Sequence, residues 1–289
     1  MTDRSAVMFS DIQWVLWAGT LGFESSIAAR VEAAHAAGYG RISVSPLDVA
    51  RVKEEGTTPL KLGRHLRDEG LEVALDPVPN WYGKPIAGSP LASITVDEVL
   101  RVAEALSAVS LSAIGQLTNE AAIEEIATSF GVLCDRAADL GAQVQLEFMP
   151  MLAINDLASA WAVVSGADRT NGGILFDTWH FFRGNPDFST LEQIPGERIL
   201  GVQVADASGT VQRSLSEDTF SRLMPGDGSL DLLRVLDTLH RIGALRYVGP
   251  EVISPITAAM PPVEAARTGR ECIERLIGQV RLNGLSQLP

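Results

Sequence analysis

The chain has 289 residues, of which 46% are hydrophobic and 20% charged, and its formal net charge is -13. The length suits one large domain, and the composition is ordinary for a globular protein. The acidic surplus disfavours a nucleic-acid partner, which would need Lys and Arg concentrated on one face, and it argues against binding to anionic membranes.

Cysteine usage and the start of the chain bear on the compartment. Cys134 and Cys272 lie far apart in helical patterns and predict reduced thiols rather than a disulfide framework. No run approaches the roughly 18 apolar residues of a membrane span, and the polar N-terminus lacks a signal-peptide pattern. We therefore expect a soluble, cytoplasmic protein with a small-molecule substrate.

Strand and helix patterns alternate along the whole chain. The predicted strands are 14–20, 41–46, 71–76, 109–114, 143–148, 173–177, 199–205 and 246–252. The predicted helices are 25–38, 48–70 with a break near 56–59, 95–106, 119–141, 155–165, 229–242 and 262–280, with a poorly helical segment at 187–195. Eight such units without a linker predict an α/β fold, a single (β/α)8 TIM barrel over residues 1–289.

Local signals refine this prediction. Thr95 and Asn119 are the expected N-caps of their helices, and Gly141 is the expected stop of the second one. The loops 77–90 and 206–229 are rich in turn-forming residues. Long loops that come after strands in compact domains are often functional.

Four polar side chains end the last four predicted strands. Glu147 follows Val-Gln-Leu, Asp177 ends Gly-Gly-Ile-Leu-Phe-Asp, Gln203 lies near the end of the seventh strand, and Glu251 ends the eighth. The carboxyl ends of barrel strands meet at one rim, where active sites lie. Oxygen ligands of this kind suit Mn²⁺ or Mg²⁺. We predict that the four converge on one divalent metal at the rim of strands 5–8.

The alternative for each carboxylate taken alone is a helix cap or a partner for a nearby Arg. Three uncompensated carboxylates in one barrel mouth would repel one another and resist desolvation, which a dication would relieve. His180 and Arg183 follow Asp177 at intervals of three residues, a spacing that places them on one face of a helical turn. We predict that both contact substrate, although His180 could instead fill a loop.

The ordered set resembles a known family. Glu147, Asp177 with His180, Gln203 with Asp206, residues 225–228 (Pro-Gly-Asp-Gly) and Glu251 are similar to the motifs of the xylose isomerase-like TIM barrel superfamily. This resemblance implies a metal-dependent isomerase or epimerase in which the two strand-end glutamates, Glu147 and Glu251, act as catalytic base and acid. Its commoner members carry His at the Gln203 position. The resemblance is also compatible with a homo-oligomer.

Aromatic residues and basic residues bear on the substrate. Trp17, Trp81 and Trp179 are predicted to lie near the barrel mouth and contact substrate, although about half of the aromatics there could be plain core. The candidate loops hold few basic residues, which weakens a phosphorylated substrate. We expect an unphosphorylated keto sugar, a cyclitol or a related polyhydroxy ketone.

Three other functions remain to be weighed. A lyase or dehydratase on the same scaffold would share the first step, proton abstraction next to a carbonyl, so the sequence separates it poorly from an isomerase. An enzyme like endonuclease IV would need a His-rich zinc cluster and a basic surface, and only 4 His are present. A catalytically inactive binding barrel is disfavoured by the complete set of strand-end ligands.

Overall fold

The structure, a computed structural model, describes residues 11–85, 88–115, 121–211 and 213–285, with side chains described as far as residue 282. Eight parallel strands follow one another in chain order and close into a barrel, as predicted. The strands are β1 Gln13–Leu16, β2 Arg41–Val44, β3 Glu72–Val78, β4 Ser110–Ile114, β5 Gln143–Glu147, β6 Gly172–Asp177, β7 Ile199–Val204 and β8 Tyr247–Pro250.

Helices cover the outside of this barrel. They are α1 Ile27–Ala37, α2 Pro46–Glu54, α3 Pro59–Asp68, α4 Val96–Leu106, α5 Ile123–Ala138, α6 Leu157–Ala167, α7 Thr178–Arg183, α8 Phe188–Gln193, α9 Leu215–Asp218, α10 Leu232–Arg241, α11 Pro255–Ala258 and α12 Pro262–Leu285. None of the helices in the described ranges is long and apolar enough to cross a membrane.

Capping residues set several helix starts. The predicted cap at Thr95 is confirmed, because its hydroxyl accepts from the backbone of Glu98 while the Glu98 carboxylate accepts from the backbone of Thr95. The predicted cap at Asn119 is wrong. The N-cap of α5 is Ala122, which makes no side-chain cap, and Asn119 itself lies outside the described residues. The buried residues of this helix begin at Ile126, so packing on the barrel stabilises it from its second turn without a polar cap.

Side chains inside the barrel alternate with those that pack under the helices, since successive strand residues point to opposite faces. Val15, Trp17, Ala74 and Leu175 form a small cluster separate from the main core, which identifies the inward positions of β1, β3 and β6. Residues two positions further along those strands therefore face the same interior. The inward set ends at the carboxyl rim with Asp177 on β6.

Register carries this orientation to the neighbouring strands. Glu147 lies beside the inward Leu175, and Asp177 lies beside Gln203, so all three of these polar groups face the interior. Gln203 in turn lies beside Gly249 on β8. Because register partners share a face, the barrel alone aims the predicted side chains at one space.

Gly249 shows how tightly this interior is packed. A Cβ atom at this position would lie 1.7 Å from the Val15 carbonyl oxygen. That overlap involves backbone on both sides, so neither group can move without disturbing the β1–β8 pairing that closes the barrel.

We predict that Gly249→Ala lowers the free energy of unfolding by about 2–4 kcal/mol, because overpacking here displaces backbone. Gly278→Ala in α12 is the matched control, since nothing lies within 4 Å of its added Cβ. Replacing a mid-helix Gly by Ala should raise stability by about 0.5–1 kcal/mol. Urea unfolding of both variants measures the difference, and equal stabilities would contradict the packing argument.

Candidate active site

Polar side chains from the last four strands meet at the carboxyl rim. Glu147, Asp177, Gln203 and Glu251 are all buried, with Glu251 the most exposed at 7%. The structure therefore puts the four predicted ligands on one rim. Their assignment as ligands stays a prediction, because His180 and a buried arginine also contact the carboxylates.

Asp177 is the most constrained of the four. Its Oδ1 accepts from the backbone N–H of His180 at 2.9 Å, so the carboxylate is the N-cap of α7. Its Oδ2 accepts from the Arg222 guanidinium at 2.7 Å. The first bond folds the turn that brings the His180 ring back towards the rim.

Glu147 and His180 lie beside Asp177. The His180 Nε2 is 3.4 Å from Glu147 Oε1 and 4.0 Å from Asp177 Oδ2. One ligand atom from each of these three residues lies within 4.8 Å of the others, close enough for them to hold a common metal ion. His180 thus joins the candidate ligands, whereas the sequence predicted a contact with substrate, and both roles remain predictions.

Glu251 lies just beyond β8, and the backbone around it is fixed by Thr20. The Thr20 hydroxyl donates to the Pro250 carbonyl at 2.7 Å and accepts from the backbone N–H of Val252 at 3.1 Å. Gly19 leaves room for the carboxylate, because a Cβ there would lie 3.2 Å from Glu251 Cγ. The 3-10 turn Ala18–Leu21 therefore positions Glu251.

Arg222 is the site residue that the sequence did not reveal. Its side chain is fully buried, with NH1 2.7 Å from Asp177 Oδ2 and 3.6 Å from Glu251 Oε2. The guanidinium carbon lies 5.0 Å from the centre of the Trp179 ring. Arg222 comes from the Gly- and Ser-rich loop 206–229, where no local pattern distinguishes a buried Arg from a solvated one.

Asp206 holds that loop in place. Its carboxylate accepts from the backbone N–H groups of Ala207, Gly226 and Leu230 at 2.8, 3.1 and 3.0 Å. Gly228 is required beside it, because a Cβ there would lie 2.3 Å from Asp206 Oδ1. Asp206 and the Pro-Gly-Asp-Gly segment 225–228 thus have a structural role: they hold the loop in the conformation that places Arg222 at the rim.

The remaining predicted substrate residues are more enclosed than expected. Arg183 donates to Asp218 at 2.7 Å and to the Ser208 carbonyl at 2.8 Å, which ties α7 to the loop after β7. Trp81 is 8% exposed and donates to the Ile114 carbonyl at 2.7 Å. Both residues have structural partners, and their contact with substrate stays a prediction.

Trp17 and Trp179 form the floor and wall of the rim. They are 1% and 0% exposed, and neither indole N–H has a partner in the structure. Periodicity could not tell these aromatics from surface-stacking ones, because both kinds lie at strand ends.

Burial and mutual repulsion shift the titration of the site. Burial, and then the Asp177 charge, raise the pKa of Glu147 to about 8, while Arg222 acts in the opposite direction. Burial and Glu147 also hold the pKa of Glu251 well above its usual range. Burial lowers the pKa of His180 to about 4, so this ring is neutral near pH 7.

Asp177 behaves differently from the two glutamates. Burial alone would raise its pKa, but Arg222, His180 and the hydrogen bonds that these two donate bring the pKa below its usual value. Asp177 is therefore the ionised carboxylate of the set, and the two glutamates carry protons more readily. Carboxyls separated in this way are suited to divided acid and base roles.

A divalent cation fits this set of donors. Three carboxylates face one guanidinium, which leaves two negative charges uncompensated when all are ionised, and the His180 ring is neutral. Both amide atoms of Gln203 are buried, and neither has a hydrogen-bond partner among the described residues. Buried polar groups without partners are costly, so an oxygen-seeking cation explains their presence here. Two sets of ligands are possible. The first is Glu147, Asp177 and His180, and the second is Glu147, Asp177, Gln203 and Glu251.

Comparison with known proteins agrees with this fold. Residues 31–276 match the family described as xylose isomerase-like TIM barrel, and the chain belongs to that family. A solved structure of the IolI protein with a bound zinc atom is similar over 93% of this chain and 99% of its own, with a TM-score of 0.81 and 19% identity.

Two curated relatives share more of the sequence. The inosose isomerase of Bacillus velezensis is 28% identical over 149 residues, which cover 51% of this chain and 52% of that protein. The 3-dehydroshikimate dehydratase of Pseudomonas aeruginosa is 27% identical over 237 residues, which cover 80% of this chain and 36% of that protein. The chain thus spans about half the length of the first relative and about a third of the second. These relatives support the prediction of an enzyme of the isomerase, epimerase or dehydratase type.

The raised pKa of Glu147 predicts how stability depends on pH. Between its usual value of 4.5 and about 8 the folded protein binds more protons than the unfolded chain, so stability falls as pH rises. The lowered pKa of His180 acts in the opposite direction, but only below its usual value of 6.5. We predict that chelator-treated protein loses about 1–2 kcal/mol between pH 6.5 and 8.

Urea unfolding across that pH range measures this loss. Excess Mn²⁺ should remove it, since the ion binds the deprotonated carboxylates and replaces their protons. Glu147→Gln should reduce the loss without metal but not abolish it, because burial also raises the pKa of Glu251. A stability that rises from pH 6.5 to 8 in the chelated wild-type protein would contradict the assigned shift.

Arg222 should stabilise the metal-free protein strongly. We predict that Arg222→Met costs about 3–5 kcal/mol, because it leaves Asp177 and Glu251 buried without a cation. Arg241→Met is the control, since its ion pairs with Glu192 and Asp237 lie on the surface and contribute less than about 1 kcal/mol. Thermal unfolding with chelator distinguishes the two, and equal losses would contradict the role of Arg222.

Proposed function

We propose that this protein is a divalent-metal-dependent isomerase or epimerase of an unphosphorylated keto sugar or cyclitol. The observation that supports it is the pair Glu147 and Glu251, two buried carboxyls with raised pKa values that flank Asp177 and Arg222 at one rim. Two such groups on either side of a substrate can remove a proton from one face of a carbon and return it to another.

The metal would supply Lewis-acid polarisation of a substrate carbonyl and so acidify the neighbouring C–H bond. Glu147 is the proposed base, and a bound metal would keep this buried carboxyl ionised although burial raises its pKa to about 8 without metal. Glu251 is the proposed acid on the opposite side of the rim. Arg222 would hold Asp177 and Glu251 in position beside the metal and offset part of their negative charge.

The buried walls of the site would exclude water from the reacting carbon. Trp17 and Trp179 are almost completely enclosed, and the pKa shifts of the carboxyls show how strongly this rim disfavours charge. Electrostatic interactions strengthen in such surroundings. Proton transfer between the glutamates and the substrate therefore needs no transient charge in bulk solvent.

The charge of the site supports an unphosphorylated substrate. Arg222 is committed to Asp177 and Glu251, and Arg183 is committed to Asp218. A phosphate would bring further negative charge to a rim that already has an excess, and phosphate sites usually converge several cations or helix-start amides.

The oxygen-rich ligand set favours Mn²⁺ or Mg²⁺. Participation of His180 would shift the preference towards zinc, the metal bound by the IolI protein. Titration of Mn²⁺, Mg²⁺ and Zn²⁺ into His180→Ala and Gln203→Ala separates the two ligand sets. A tenfold or greater loss of affinity in one variant alone identifies its side chain as the ligand.

Dehydration is the second candidate function. The dehydratase relative matches 80% of this chain, and its reaction would begin with the same proton abstraction. The two functions differ in the step after that abstraction, since a dehydratase expels a hydroxyl from the carbon next to the new carbanion centre. The geometry of Glu147 and Glu251 serves either outcome.

The decisive experiment incubates Mn²⁺-loaded protein with a keto-inositol or 3-dehydroshikimate in D₂O. We expect deuterium at the carbon next to the carbonyl together with an isomerised product. Glu147→Gln should slow exchange by about 10²–10⁴-fold, the usual contribution of a general base. Glu55→Gln, on the exposed C-cap of α2, should have no effect.

Product analysis separates the candidates. An unsaturated product with loss of water would favour the dehydratase. No exchange with any tested ketone, together with no effect of Glu147→Gln on metal affinity, would overturn both proposals.

A further inference from the structure

Asp76 is a rim carboxyl that the sequence analysis did not select. The β3–β4 register shifts between Leu75 and Val78, so that Asp76 and Pro77 together lie opposite Ser112. Such a bulge re-aims a side chain, and bulges are frequent next to active sites. Ala74, two residues earlier, packs in the interior cluster, which identifies the inward face of this strand.

A chain of two hydrogen bonds, from Gln145 to Ser112 and between Ser112 and Asp76, holds this carboxyl; we call Gln145 and Ser112 the brace. The Gln145 amide donates to the Ser112 hydroxyl at 3.0 Å inside the barrel, and Ser112 is a hydrogen-bonding partner of Asp76. Gly201 leaves space for the brace, because a Cβ there would lie 2.8 Å from Gln145 Oε1. Gln145 on β5 therefore positions Ser112 on β4, and Ser112 positions the Asp76 carboxyl on β3.

Asp76 lies on β3, two strands from Glu147 on β5 and three strands from Asp177 on β6. In the closed order of strands β3 lies across from β7, which carries Gln203. Its charge nevertheless reaches the ligands, since Glu147 raises the pKa of Asp76 and Asp76 raises that of Glu251. The space between these groups is the mouth of the barrel.

Two features distinguish Asp76 from the other rim carboxylates. It is partly exposed, whereas Glu147, Asp177 and Glu251 are buried. No cation appears among the groups that shift its pKa, and Ser112 alone acts against burial and neighbouring charge. Among the described residues, Ser112 is the named hydrogen-bond partner of this carboxyl and no cation shifts its pKa, so it retains unused hydrogen-bonding capacity.

We propose that Asp76 binds a substrate hydroxyl on a carbon remote from the reacting carbonyl, and thereby selects polyhydroxy substrates over their deoxy analogues. The inference rests on the proposed function and adds a residue that binds the part of the substrate remote from the reacting carbonyl. A hydroxyl is both donor and acceptor, so it can pair with this carboxyl in either protonation state. A phosphate at the same place would be repelled.

The test measures binding and turnover of a keto-inositol and its monodeoxy analogues by Mn²⁺-loaded wild-type and Asp76→Ala protein. We expect Asp76→Ala to raise the KM of the full keto-inositol about 3–10-fold, the effect of losing one hydrogen bond. The kcat should change less than threefold. One monodeoxy analogue should bind both proteins equally, since its missing hydroxyl is the partner of Asp76.

Two further variants keep the result interpretable. Asp76→Asn retains the shape of the side chain and should give an intermediate loss, and it serves if Asp76→Ala does not fold. Ser112→Ala should raise KM by a smaller factor, because it loosens the brace without removing the carboxyl. Asp68→Asn at the exposed end of α3 is the charge-matched control and should behave as wild type.

Mn²⁺ titration separates this proposal from the wider function. Metal affinity within twofold of wild type in Asp76→Ala, together with the selective rise in KM, supports it. Unchanged KM for every analogue overturns it while leaving the isomerase or dehydratase function intact. A large loss of Mn²⁺ affinity also overturns it, since Asp76 would then belong to the metal site. If wild-type protein neither binds nor converts any keto-inositol or 3-dehydroshikimate, the proposed function fails, and this inference with it.

Discussion

The burial of three carboxylates at one end of the barrel is the constraint on which the rest of the site depends. Glu147, Asp177 and Glu251 cannot all be ionised there without compensating positive charge. Arg222 supplies one charge through Asp177 and Glu251, and the raised pKa values of the two glutamates show that one is not enough. A dication or protons must supply the remainder, which couples metal binding, pH and stability in this protein.

In this barrel the strands supply the buried carboxylates and a loop supplies the cation that compensates them. Strands deliver Glu147, Asp177 and Gln203 at fixed register, so their convergence results from closure of the barrel alone. The opposing cation comes from a loop, which needs the Asp206 carboxylate to hold its backbone. Loss of the Asp206 contacts would therefore be expected to disturb the electrostatics of the rim rather than the fold of the barrel.

The same arrangement explains why isomerase and dehydratase chemistry are hard to separate on this scaffold. Both begin with removal of a proton next to a polarised carbonyl, and the carboxyl pair serves that step in either case. The outcome depends on whether the substrate offers a leaving hydroxyl near the proton that is lost. Groups that orient the far side of the substrate, as proposed for Asp76, thus bear on the choice of reaction as well as on the choice of substrate.

Strand periodicity and strand-end chemistry determined the eight-unit barrel and the rim positions of Glu147, Asp177, Gln203 and Glu251, because both patterns are local in sequence. Only the tertiary structure identified Arg222 as a site residue, because its partners Asp177 and Glu251 are 45 and 29 residues away in the sequence. It also enclosed the tryptophans and paired Arg183 with Asp218. Burial and long-range pairing are properties of the packed chain, so local sequence patterns cannot supply them.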